Sequence, residues 1–184
     1  MPEQVAASLA PVTLLLGGAR SGKTGYGLRL AEQSGFSPVY VATGWAGDDE
    51  MADRIARHRA ERGGQWTTIE ERLDLVAVLA RQASPERVLL VDCLTLWLAN
   101  LMGVNSDPDI ETLRLAGALN SLTGPIILIA NEVGLGLVPE TPVGRRFRDM
   151  QGRLNQAMAR SAQSVMFLAA GLPLILKSPE SALP

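Results

Sequence analysis

Short, near-continuous apolar runs recur along the chain, separated by stretches whose apolar residues return every three or four positions. Val12-Thr13-Leu14-Leu15-Leu16, Pro38-Val39-Tyr40-Val41-Ala42-Thr43, Val88-Leu89-Leu90-Val91-Asp92 and Ile126-Ile127-Leu128-Ile129-Ala130 are the clearest. Runs without polar alternation predict strands buried on both faces, which means a mostly parallel sheet covered by helices on each side. Trp66-Thr67-Thr68-Ile69-Glu70 reads as a shorter β-rich piece. The runs at 165–169 and 173–177 are split by Gly171 and lie too close for a helical crossover, so they predict an antiparallel hairpin.

Helices are expected at 26–33 and from Asp48-Asp49-Glu50 to about Arg62, where Gly63-Gly64 stops the second. A stripe of Leu73, Val76, Ala77 and Ala80 predicts another, ending near Ser84-Pro85. Further helices are expected at 94–102, from Asp107-Pro108 to about Leu122, and at 142–161 with Phe147, Met150, Leu154 and Met158 on one face. The expectation is a three-layer α/β fold: a mostly parallel sheet with a C-terminal antiparallel hairpin, in one domain over 1–184. Residues 1–11 and 178–184 read as loose ends.

The first loop changes this from a fold into a candidate site. Gly17-Gly18-Ala19-Arg20-Ser21-Gly22-Lys23-Thr24 fits the phosphate-binding pattern G-x-x-x-x-G-K-[ST], with a strand before it and a helix after it. Backbone N–H groups wrapping a polyphosphate need glycine where a Cβ would block approach. The following helix adds the positive end of its dipole. Lys23 supplies a point charge for the β- and γ-phosphates, and the Thr24 hydroxyl suits Mg²⁺. Parallel sheets bind ligands beyond the carboxyl ends of their strands. The strand-end residues Thr43, Asp92, Asn131 and Glu132 should therefore gather beside this loop. Asp92, ending an apolar strand, suits Mg²⁺ or its waters, though a helix cap before Leu94 is the plainer use.

Composition narrows the classes. The 184 residues include 47% hydrophobic ones, yet no apolar run is long enough to cross a bilayer, and the first eleven residues lack the pattern of a signal peptide. A cytoplasmic protein is the expectation. Cys93 is the only cysteine, which excludes an internal disulfide and any cysteine-based zinc site. It reads as a buried core thiol. A net charge of −2 argues against nucleic-acid binding as the main task.

The stretch from Met51 to Arg62 contains the chain's single histidine. Helical spacing puts Arg54, His58 and Arg62 on one face. A solvated surface histidine is the plain reading. Neighbouring arginines, however, disfavour imidazolium and can hold phosphate oxygens, so a neutral His58 beside a phosphate is a candidate nucleophile. Glu70 can accept from the N1–H and amino group of guanine, or be a solvated strand-end charge. Arg145, Arg146, Arg148 and Arg153 are either phosphate contacts or a solvated basic face.

With these residues in view, the chain resembles the bifunctional adenosylcobinamide kinase/adenosylcobinamide-phosphate guanylyltransferase family. The resemblance rests on 17–23, on Asp48-Asp49-Glu50-Met51 with Arg54-Ile55 and His58, and on Asn131-Glu132-Val133-Gly134 and Val138-Pro139-Glu140. It continues through Arg146-Phe147-Arg148-Asp149 and Gly152-Arg153 with Asn155-Gln156. It implies a phosphate-loop core like that of recombinase ATPases and two activities. Adenosylcobinamide is phosphorylated from ATP or GTP; GMP then passes from GTP through a histidine, here His58, to adenosylcobinamide phosphate. It also implies nucleotide contacts at Gly17, Gly18, Ala19, Arg20, Ser21, Gly22, Lys23, Thr24, Thr43, Gly44, Trp45, Arg59, Ala60, Glu61, Arg62, Glu70 and Asp92, and a homotrimer. Thr24 stands where serine is commoner and Asp92 where some members carry Glu, and Gly44-Trp45 departs from a more polar pair. From the residues alone, a phosphate-loop small-molecule kinase without the transferase step and a nucleotide-gated ATPase or interaction module remain open.

Overall fold

The computed structural model describes residues 9–44, 63–104 and 106–179. Their elements run β1 (Val12–Gly17), α1 (Lys23–Gln33), β2 (Ser37–Ala42), β3 (Thr67–Glu70), α2 (Leu75–Gln82) and β4 (Arg87–Asp92). After these come α3 (Leu94–Gly103), α4 (Pro108–Leu119), β5 (Ile126–Asn131), α5 (Pro142–Ser161), β6 (Ser164–Ala169) and β7 (Leu172–Lys177). The strands form one sheet of seven in the order β3-β2-β4-β5-β1-β6-β7. Every neighbouring pair is parallel except β6 and β7. The expected helix from Asp48 to Arg62 lies outside the described residues.

The continuous apolar runs are strands because both sheet faces are covered. All six residues of β1 are buried. Alternate side chains feed two separate cores. Leu14, Leu16, Val39, Val41, Leu89 and Val91 pack with Leu79, Trp97, Leu115 and Met158 from α2, α3, α4 and α5. Leu15, Tyr40, Leu90, Ile127 and Ile129 meet Leu28 and Ala31 of α1 on the other face. Each fully buried leucine contributes about 1.5–3 kcal/mol by leaving water. The buried Trp97 indole keeps a partner, donating to Leu73 O at 2.8 Å.

Two expectations need correction. In α2 the buried residues are Leu75, Val78 and Leu79, not the stripe through Leu73, Val76, Ala77 and Ala80. The cause is the cap: the Asp74 carboxylate accepts the Ala77 N–H at 3.2 Å and starts the helix at Leu75. Leu73 therefore precedes the helix, and the i, i+3, i+4 set counts from Leu75. Helix α4 ends at Leu119 rather than near Leu122, with Asn120 as its C-cap.

Gly124 then turns the chain with φ +80°, where a Cβ would lie 2.1 Å from Ser84 O. The hairpin is as expected, joined by Ala170 and Gly171, both at positive φ. Its outer strand β7 exposes Leu172, Leu174, Ile175 and Leu176. Among the described residues, no helix is long and apolar enough to cross a membrane.

Candidate nucleotide and phosphate site

The site begins where β1 ends. Gly17 has φ +150°, and a Cβ on it would meet Leu168 O at 2.4 Å and Ser21 Oγ at 2.7 Å. A side chain there would push the loop off the neighbouring strand. Gly22 adopts a left-handed φ of 95° as the N-cap of α1, leading directly into Lys23. Arg20 shares the left-handed region at φ 56°. Ala19 and Arg20 are exposed, Gly18 and Ser21 partly so. The loop's open amides and the start of α1 together form an anion cradle.

Lys23 is buried, and its ammonium donates to Gly17 O at 2.9 Å, Gly18 O at 2.6 Å and Ser21 Oγ at 3.3 Å. These bonds fix the cation inside the loop's curve. The Thr24 hydroxyl donates to Asp92 Oδ2 at 2.8 Å, so the loop threonine and the β4 carboxylate are brought together across the sheet end. The Tyr40 hydroxyl donates to the same oxygen at 2.9 Å. Tyr40 carried no chemical signal in the sequence. It reaches Asp92 only because β2 and β4 pair in register, Tyr40 beside Leu90 and Ala42 beside Asp92.

A hydroxyl and a carboxylate at this spacing form an all-oxygen donor pair beside a phosphate cradle, which suits Mg²⁺. Among the described residues no three His, Cys, Asp or Glu side chains cluster as a metal site of their own.

The remaining assigned residues divide. Thr43 is fully buried, and its hydroxyl is committed to Cys93, donating to the carbonyl at 2.7 Å and accepting the N–H at 2.8 Å. Gly44 follows it, partly exposed. Glu70 is exposed at the end of the edge strand β3. Four strand spacings separate β3 from β1, roughly 19 Å in the hydrogen-bonding direction. The structure therefore does not bring Glu70 to the phosphate loop. Trp45, His58, Arg59, Ala60, Glu61 and Arg62 lie outside the described residues. Of the arginines, Arg145 donates to Pro139 O and Glu140 O, bracing the loop before α5. Arg148 and Arg153 pair with Asp149 and Asp109.

Cys93 is a core thiol, as expected. Burial pushes it up to about 11 from 9.0, with the Asp92 charge adding to the effect. Its thiolate at pH 8 is therefore about a hundredfold scarcer than in an open chain. Iodoacetamide should modify the native protein at pH 8 roughly 100-fold more slowly than the urea-unfolded chain, followed by mass spectrometry. Equal rates would contradict the burial. The stability this thiol contributes is complete below pH 9.0 and is lost as pH rises through about 11, because the unfolded chain deprotonates first.

Two further supports were missed in the sequence. The Asn131 N–H donates to Thr95 Oγ1 at 2.7 Å, and Asn131 O accepts from Asn155 Nδ2 at 3.1 Å. Asn155 in turn accepts from Gln151 at 2.8 Å. The hairpin turn also touches the phosphate loop: Gly171 N–H donates to Ser21 O at 2.9 Å.

Comparisons with known proteins agree with this geometry. A family model described as cobinamide kinase / cobinamide phosphate guanyltransferase matches residues 13–176. A bifunctional adenosylcobalamin biosynthesis protein, CobP of Pseudomonas aeruginosa, is 51% identical over 167 residues, covering 89% of this chain and 96% of the relative. A protein of the same description, CobU of Escherichia coli, is 35% identical over 179 residues, covering 89% and 98%. The RadB recombinase crystal structure is similar in fold at TM-score 0.52 and 18% identity, over 86% of this chain and 75% of that one. A second solved structure, an ATPase domain, gives 0.55 and 12%, over 92% and 78%. The expected recombinase-like phosphate-loop fold is thus observed. The chain belongs to the cobinamide kinase / cobinamide phosphate guanyltransferase family.

Proposed function

We propose that this protein phosphorylates the aminopropanol hydroxyl of adenosylcobinamide from ATP or GTP, then transfers GMP from GTP to adenosylcobinamide phosphate through a guanylylated His58. The observation that carries the reading is the joining of Thr24 and Asp92 at a phosphate loop whose first glycine admits no side chain, in a chain of this family.

In the first step the loop amides and Lys23 hold the triphosphate and draw charge from its β- and γ-oxygens. The acceptor oxygen bonds to the γ-phosphorus as the bond to the β–γ bridging oxygen breaks, and a nucleoside diphosphate leaves. Mg²⁺, held by Thr24 and Asp92, would neutralise phosphate charge when bound. In the second step a His58 ring nitrogen bonds to the α-phosphorus of GTP and pyrophosphate leaves. The corrinoid phosphate then displaces histidine, giving adenosylcobinamide-GDP. Two easier transfers replace one difficult one. The site reading assigns nucleotide contacts to 17–24, Thr43, Gly44, Trp45, Arg59, Ala60, Glu61, Arg62, Glu70 and Asp92.

The same reading makes 1–184 one domain, in the cytoplasm, with no nucleic-acid partner. It also makes the protein a homotrimer, supported by the apolar side chains that β7 leaves in water.

The test uses GTP labelled separately at the α- and γ-phosphates. Protein-bound, acid-labile and base-stable label is expected from the α-position and none from the γ-position. Adding adenosylcobinamide phosphate should move the α-label into a corrinoid product. Label retained from the γ-position, or no adduct at all, would overturn the transferase step.

A further inference from the structure

We infer that Glu132 is the general base of the kinase step, taking the proton of the corrinoid alcohol as its oxygen attacks the γ-phosphorus. The inference rests on the kinase reading above and gives a role to a carboxylate that reading leaves unused.

Strand β5 ends level with the phosphate loop. Asn131 pairs with Gly17 in the β1–β5 register, so the next residue, Glu132, stands beside the loop's first residue. The Glu132 N–H donates to Gly17 O at 3.0 Å. The Lys23 ammonium donates to that same carbonyl at 2.9 Å. Sharing one acceptor, the Glu132 amide nitrogen and the Lys23 ammonium lie no more than about 6 Å apart. No other described carboxylate has a backbone tied so directly to the group that grips the transferred phosphate.

The carboxylate is also aimed. One oxygen, Oε1, accepts the Gly134 N–H. Glycine is what permits this, because a Cβ at 134 would lie 2.8 Å from Oε1. The other oxygen accepts no hydrogen bond among the described residues and is left to receive a proton. The side chain is half-buried, so a substrate can reach it. Its platform is rigid: Thr95 and Asn155 hold the N–H and C=O of Asn131. A base must be positioned within hydrogen-bond reach of its proton before its pKa matters, and these contacts supply positioning.

The other carboxylates are less suited. Asp92 Oδ2 already accepts from both Thr24 and Tyr40. Glu70 ends the edge strand β3, three strand spacings from β5. Asp48, Asp49 and Glu50 lie outside the described residues, and the experiment discriminates against them.

In the step itself the alcohol O–H bond breaks and its proton passes to Glu132 Oε2. The alcohol oxygen bonds to phosphorus, the bond to the bridging oxygen breaks, and the nucleoside diphosphate leaves with that electron pair. Glu132 later releases the proton to solvent. No other reactant is needed.

The test compares wild type with Glu132→Gln, Glu132→Asp and Gly134→Ala in corrinoid phosphorylation by ATP and by GTP, product being separated chromatographically. Glu132→Gln should lower kcat roughly 10²- to 10⁴-fold, with KM for nucleotide and corrinoid and the GTP dissociation constant each moving less than about threefold. Glu132→Asp should recover part of the loss, and Gly134→Ala, which displaces the carboxylate without removing it, should fall between. A kcat within threefold of wild type in Glu132→Gln overturns the assignment. So does a loss matched by weaker GTP binding and not relieved by aspartate, which marks a structural role. A wild type unable to phosphorylate adenosylcobinamide overturns the kinase reading and this assignment together; an active wild type with an active Glu132→Gln overturns the assignment alone.

Discussion

His58→Ala is expected to remove the protein-bound guanylyl adduct entirely and to lower GMP transfer by at least about 10³-fold, while corrinoid phosphorylation survives in part. The asymmetry follows from the chemistry. The transferase step as proposed uses a nucleophile that leaves again, and alanine offers none. Cys93 cannot substitute, being buried with its pKa pushed up to about 11. His58 is also the only histidine of the chain. The kinase step as proposed draws on the loop, Lys23 and Glu132 and forms no bond to the imidazole. The measurement is gel autoradiography after incubation with α-labelled GTP, alongside the rate of corrinoid phosphorylation. An adduct of undiminished intensity in the variant would remove His58 from the role.

The second large effect should come from Lys23→Ala, and it should strike both activities. Lys23 places its ammonium on Gly17 O, Gly18 O and Ser21 Oγ, inside the loop to which the proposed function assigns both triphosphate reactions. Losing a preorganised cation aimed at developing phosphate charge costs about 3–4 kcal/mol, or roughly 10²- to 10³-fold in kcat/KM. The same change leaves loop carbonyls without their buried donor, an added destabilisation of about 1–3 kcal/mol. Thermal unfolding therefore has to accompany the kinetics. A Tm drop of a few degrees with both rates lost is the expected pair. Undiminished GTP affinity would mean that the two reactions do not share this loop.

What could be read from the chain depended on how local the physics is. The phosphate loop was legible because its glycines, lysine and threonine act within eight successive residues, from Gly17 to Thr24. The parallel strands were legible because burial on both faces leaves continuous apolar runs. Helix α2 was placed but its inner face was not. One capping carboxylate, Asp74, sets where the helical count begins, and period alone does not contain that choice. The partnership of Tyr40 with Asp92 and the bond from Asn155 to Asn131 were invisible for another reason. Both depend on register between segments far apart in sequence, where no spacing rule reaches. The bonds that tie the Thr43 hydroxyl to the N–H and C=O of Cys93 were invisible in the same way.

The place of β1 in the sheet has a consequence for synthesis on the ribosome. Its two neighbours, β5 and β6, and the Gly171 amide that steadies Ser21 all follow it in the chain by more than a hundred residues. The loop residues 17–24 are therefore translated well before the strands that flank them. A nascent chain carries the whole motif without the means to close it until β5, β6 and the hairpin turn have also been made.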